Sequence, residues 1–205
     1  MYAAPAVDMA ERKRQLVRDE LTEAAVKLLA SQGFDETTVE QIAAAVGMSR
    51  RTFSRYFESK EDVIVHMLAG AGTQLCAALR ARPADEPPAV ALRHALSVIT
   101  ALMAGNPDKT QHVTGLMLGT PALLARFLER QSYWQDEMTT ILAERTGLAP
   151  EADLRPRIAA GVALTAFNAA LRRWVDGGGT ADMDELVDEA FAAVTPALDL
   201  TTGTN

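Results

Sequence analysis

Apolar residues in this chain recur three or four positions apart and almost never alternate with polar ones, and the runs they form are cut by Gly and Pro. A strand buries every second residue, whereas a helix buries the i, i+3, i+4, i+7 stripe, so this spacing commits the chain to helices. Aromatic residues make up only 5% of the 205 residues and Ala and Leu recur throughout, which leaves little material for a sheet. The expected fold is all-α.

The breaks set the helix count. The stripe Val17, Leu21, Ala24, Ala25 and Leu28 predicts a first helix from Glu11 to Gln32, stopped by Gly33. Thr38 with Gln41 three residues on is a capping-box pattern that opens a second helix, Val39 to Val46, and Gly47 follows where the chain must turn with positive φ. Ser49 is placed to cap a third helix, Arg50 to Phe57, with Phe53 and Phe57 inward at i, i+4. Ser59 opens a fourth that reaches Arg80 or Arg82. Five more are expected: Pro88 to Ala104, Lys109 to Leu118, Pro121 to Thr146, Arg155 or Pro156 to Val175, and Asp182 to Leu198. Residues 1–10 read as a flexible arm and 201–205 as a disordered tail.

Charge narrows the function classes. With 27 acidic and 20 basic residues the net charge is −7, which argues against a surface that grips nucleic acid or anionic lipid over its whole extent. No stretch reaches the roughly 18 apolar residues of a membrane span, and the charged run from Glu11 to Arg14 comes where a secretion signal needs an apolar core. Cys76, the single cysteine, has no partner for an internal disulfide. A cytoplasmic protein without membrane, metal or other cofactor is expected, and no residue set suggests a catalytic site.

The acidity is uneven. Between Gly47 and Lys60 stand Arg50, Arg51, Arg55 and Lys60 against one acid, Glu58, so an acidic chain carries a basic tip on its third helix. Two short helices joined by a Gly turn form a helix-turn-helix pattern, and guanidinium groups on the second can donate in pairs to guanine O6 and N7 in the major groove. A solvated charged face is the alternative for these arginines.

The segment TTVEQIAAAVGMSRRTFSRYFESKEDV, preceded by a helix ending in Gly33 and Phe34, resembles the DNA-binding domain of the TetR family of transcriptional regulators. The stretches GTPALLARFLERQ and LRRWVDGGG resemble a bacterial subgroup of that family. The resemblance implies a helix-turn-helix domain over 11–58 and an effector-binding and dimerisation domain over 59–200. It implies base contacts by Arg50, Arg51 and Thr52, and phosphate contacts by Thr38, Ser54, Arg55, Tyr56 and Lys60. Arg12, Lys13 and Arg14 are placed either to reach the DNA backbone or simply to solvate a helix start.

The resemblance further implies a homodimer on a double-stranded, pseudo-palindromic operator, with a small, largely apolar effector that releases it, as in a repressor. The eighth helix is apolar on two sides, so Ile158, Val162 and Ala169, with Met183, Leu186, Val187 and Phe191 of the ninth, are expected at the dimer interface. Met67, Leu96, Ile99, Met103, His112, Met117, Phe127, Trp134, Met138 and Phe167 are candidates for the effector pocket, with ordinary core packing as the alternative for each. A small α-helical enzyme and a protein-binding adaptor are the competing classes.

Overall fold

In the computed structural model the described residues are 9–105, 107–149 and 151–198, with backbone alone at 64, 67–69 and 196–198. They form nine α-helices and no strand: α1 Met9–Gln32, α2 Val39–Ala45, α3 Arg50–Phe53, α4 Lys60–Ala81, α5 Pro88–Ala104, α6 Pro107–Gly119, α7 Pro121–Thr146, α8 Arg155–Asp176 and α9 Met183–Leu198. The all-α expectation holds. Most of the expected arm (1–8) and the tail (201–205) lie outside the described residues, and Met9 and Ala10 already belong to α1.

The chain divides into two compact units between Leu68 and Ala69, within α4 rather than at its start. In the first unit, Gly33 ends α1 at φ 84°, donating its N–H to Leu29. Thr37, fully buried, donates from its hydroxyl to the Gly33 carbonyl. The capping box forms as expected: the Thr38 hydroxyl accepts from the Gln41 backbone, and the Gln41 side chain accepts from the Thr38 backbone. Leu21, Ala25, Leu29, Ile42, Ala43, Phe53, Phe57 and Val63 make the core. Full burial of a side chain such as Phe53 contributes about 1.5–3 kcal/mol.

The third helix is shorter than its sequence predicts. After Phe53 the backbone tightens, with Arg55 N–H donating to Thr52 and Tyr56 N–H to Phe53, both i to i+3 bonds. The i, i+4 bond from Phe57 to Phe53 survives, so the two rings still meet with centroids 5.8 Å apart.

In the second unit, α8 packs against α7 and α9, and α9 against α5. Pro stands at the start of α5, α7 and α8, where its missing N–H costs no helical bond. Gly147, left-handed at φ 68°, caps α7. Arg145 fixes the loop after α4 by donating to the carbonyls of Arg82 (2.8 Å) and Pro83 (2.7 Å).

The second half of α4 lies against α7 at one close approach: a Cβ on Gly72 would fall 1.9 Å from Trp134 Nε1. The indole is rigid and 6% exposed, and its neighbour Phe127 meets it edge-on at 6.5 Å. Gly70, two residues earlier, has nothing within 4 Å of the same position. Gly70→Ala should therefore raise the melting temperature, by up to about 1 kcal/mol of helix propensity. Gly72→Ala should lower it, with an overpacking cost of about 1–3 kcal/mol. Thermal unfolding of the pair checks this, and equal shifts in one direction would show that Trp134 does not need the glycine.

Candidate nucleic-acid interface

The turn between α2 and α3 is built from Gly47 at φ 69°, with Gly47 N–H donating to Ala44 and Met48 N–H to Ala43. Ser49 then caps α3, its hydroxyl accepting from the Thr52 backbone at 3.1 Å. Phe53 points inward, and Arg50, Arg51, Ser54 and Arg55 on the other faces are exposed. Packing thus decides the outward set: burying the phenylalanine commits its neighbours to solvent.

The basic side chains of this tip are not equivalent. Arg50 Nη1 donates to Glu40 Oε1 of α2 at 2.7 Å. Arg51 and Arg55 make no ion pair among the described residues. Thr52 shares its hydroxyl with Ser49 at 3.0 Å, and Thr38 is exposed at the start of α2 with its hydroxyl turned to Gln41. Ser54 donates to the Arg50 carbonyl at 3.2 Å, and Tyr56 is half-buried. Arg12, Lys13 and Arg14 are exposed at the beginning of α1, and Arg14 pairs with Glu11 at 2.6 Å.

Lys60, expected at a phosphate, has contacts within the chain as well. Its ammonium donates to the carbonyls of Phe34 (2.6 Å) and Thr37 (2.9 Å) and sits 4.0 Å from the centre of the Phe34 ring. Two of its three donors are spent on backbone acceptors in the loop between α1 and α2, so its first role is to hold that loop on the start of α4. Sequence reasoning had no signal for this, because the acceptors are carbonyls that any residue supplies.

In the second unit, Met117, Phe127, Trp134, Phe167, Met138, Leu96 and Ile99 are core residues. Met103, 9% exposed, lines a cleft of about 530 Å³ with Thr100, Trp174, Gly179, Asp182, Met183 and Asp184. His112 is exposed on α6 and does not point into the core, and the Met67 side chain lies outside the described residues. What the sequence missed is an amide pair: Gln131, 5% exposed, and the half-buried Asn168 donate to each other at 2.8 Å across α7 and α8. The signal was available, since Gln131 interrupts the stripe of Phe127, Trp134 and Met138.

Of the residues expected at the dimer interface, those of α9 and those of α8 stand in different settings. Met183, Leu186, Val187 and Phe191 are buried within the chain, because the apolar stripe of α9 is consumed by α8 and α5. On α8, Ile158 is 50% exposed, Val162 half-buried and Ala169 exposed, and Leu154 just before it, 70% exposed, joins the same face. A shallow groove of about 460 Å³ follows this face through Leu154, Ile158, Gly161, Val162 and Thr165.

Burial, and after it the Glu137 carboxylate, pushes the Cys76 thiol up to about 12, which leaves it without the thiolate a nucleophile needs. His66 stacks edge-on to Phe57, His94 lies 3.2 Å from Glu86 and His112 is exposed, so the histidines stand in three different settings. No single helix is long and apolar enough to cross a membrane, among the described residues.

Two short helices, a glycine turn and an exposed basic tip on an all-helical chain define a helix-turn-helix DNA-binding regulator. Residues 21–67 match the model for bacterial regulatory proteins of the tetR family, and residues 86–199 match the MftR C-terminal domain. The chain belongs to the TetR family of transcriptional regulators. It is 34% identical over 170 residues to the HTH-type transcriptional regulator TcmR of Streptomyces glaucescens, covering 80% of this chain and 75% of TcmR. To the regulator MftR of Mycobacterium tuberculosis it is 27% identical over 199 residues, covering 92% of this chain and 94% of MftR. Among solved structures, FadR of Bacillus subtilis in complex with stearoyl-CoA shares the fold at a TM-score of 0.64 and 20% identity, over 87% of this chain and 98% of FadR.

Lys60→Ala should act first on folding. Hydrogen bonds from a charged donor are worth about 1.5–3 kcal/mol each, so the first unit should melt earlier in the absence of DNA. An unchanged melting curve with weakened DNA binding would return Lys60 to the phosphates.

Proposed function

We propose that this chain is a homodimeric repressor that reads a pseudo-palindromic operator and leaves it when a small, largely apolar effector binds the larger domain. The observation that carries it is the tip of α3, where exposed arginines gather on an otherwise acidic chain. Arg50, Arg51 and Thr52 read base edges; Thr38, Ser54, Arg55, Tyr56 and Lys60, the last with its remaining N–H, hold phosphates. The reading domain spans 11–58 and the effector and dimerisation domain 59–200, with the cytoplasm, where DNA is accessible, as its place of action.

One such helix covers only a few base pairs, so selectivity requires two, spaced by about 34–36 Å along one face of the duplex. The outward face of α8 supports the pairing, because Leu154 and Ile158 present large apolar side chains to water beside the small residues Gly161, Thr165 and Ala169. Leu154→Asp with Ile158→Asp should convert the protein to a monomer in sedimentation and abolish tight operator binding. A dimer that survives both changes places the interface elsewhere.

The effector is supported by the aromatic pair Phe127 and Trp134, with the Gln131–Asn168 amides as the polar anchor beside it in sequence register. A long acyl chain is a candidate for the apolar part of that effector, since the FadR fold relative holds stearoyl-CoA. The second half of α4 lies against Trp134 at Gly72, so a ligand that displaces the indole acts on that helix. The test is a gel shift on upstream DNA over a salt series, with and without acyl-CoA. Arg55→Ala should reduce the slope of log affinity against log salt by about one, whereas Arg51→Ala should relax preference at one base position. An unchanged slope in Arg55→Ala would remove its phosphate role, and unchanged base preference in Arg51→Ala its base role.

A further inference from the structure

The ion pair between α2 and α3 gives one of the three exposed arginines a different status from the others. Arg50 and Glu40 lie ten residues apart, on either side of the Gly47 turn, and their side chains are 72% and 54% exposed. A pair so open to water adds little to stability. It does constrain the guanidinium. Nη1 is turned to the carboxylate of α2, and the other edge, Nε with Nη2, has no hydrogen bond among the described residues. That edge is the one this protein uses for two-point contacts elsewhere: Arg82 offers Nε and Nη2 to Glu86, and Arg155 offers the same two atoms to Asp153. Guanine O6 and N7 present the same pair of acceptors in the major groove.

We infer that Glu40 is a positioning and specificity-determining residue, holding Arg50 so that its Nε–Nη2 edge meets a guanine in each half-site. This rests on Arg50 being a base reader, as set out under the proposed function. A carboxylate beside the groove also acts on the competing states. It repels phosphate, and it biases Arg50 toward one orientation over those aimed at a neighbouring phosphate or base. Discrimination at the Arg50 position is then a property of two residues on two helices. Arg51 and Arg55, without such a partner among the described residues, adapt to what they meet.

The experiment selects duplexes from a random library with the full-length wild-type protein. It then measures affinity for the consensus duplex and each of its single-base variants with wild type, Arg50→Ala, Glu40→Ala, Glu40→Gln and the double variant. Arg50→Ala should erase preference at one position per half-site, where wild type discriminates on the order of tenfold or more. Glu40→Ala should weaken the preference at that same position several-fold, Glu40→Gln less, with consensus affinity and melting temperature nearly unchanged. The double variant should be no less selective there than Arg50→Ala alone. If Arg50→Ala erases the preference and Glu40→Ala leaves it intact, the inference about Glu40 is overturned while base reading by Arg50 stands. If Arg50→Ala alters no position, the base-reading role itself fails. A uniform loss across all duplexes in Glu40→Ala, with earlier melting, would assign Glu40 to helix stability and overturn the inference as well.

Discussion

The geometry of the reading head depends on one ammonium group. Lys60 donates to two carbonyls of the loop between α1 and α2, and the Phe34 ring covers it. The Phe34 carbonyl also accepts from the Thr37 N–H at 3.3 Å, while the Thr37 carbonyl has Lys60 alone among the described residues, and partial burial makes its satisfaction expensive to lose. By meeting them from the first residue of α4, Lys60 connects the end of α1, the cap of α2 and the start of α4 at one point. The capping box of Thr38 and Gln41 begins one residue beyond the Thr37 carbonyl, so the direction in which α2 leaves the loop is fixed by the same contact. The exposed arginines of α3 inherit their placement from that direction.

Charge has to be read at this scale as well. The chain as a whole carries −7, and a long-range field of that sign lowers non-specific attraction to DNA. The tip reverses it only locally, and even there Glu40 subtracts from Arg50. A regulator needs a large ratio between its own site and the rest of the genome more than it needs raw affinity. An acidic body with a small basic tip is a physical route to that ratio, because phosphate contacts beyond the tip are repelled while base contacts at the tip are not.

Helix positions were legible where the sequence carries backbone chemistry. Pro88, Pro121, Gly147 and Ser49 act through φ, a missing N–H or a cap, all local effects, and α5 and α7 begin and end where those residues put them. Apolar periodicity was ambiguous about partners. The stripe of Met183, Leu186, Val187 and Phe191 shows that α9 buries a face but does not name the partner, and within the chain α5 and α8 pack over it. Lys60 and Glu40 were illegible for a related reason: each is charged, and only the fold shows that one faces carbonyls and the other a guanidinium.

The contact of Gly72 with Trp134 joins these strands. A helix loses stability at glycine, so α4 carries a weakness at Gly70 and Gly72, just after the chain's division at Leu68 and Ala69. At Gly72 the loss is offset by an indole lying directly on the backbone, whereas at Gly70 nothing fills the space. The helix therefore gets its rigidity at this place from a side chain of α7 and not from its own propensity.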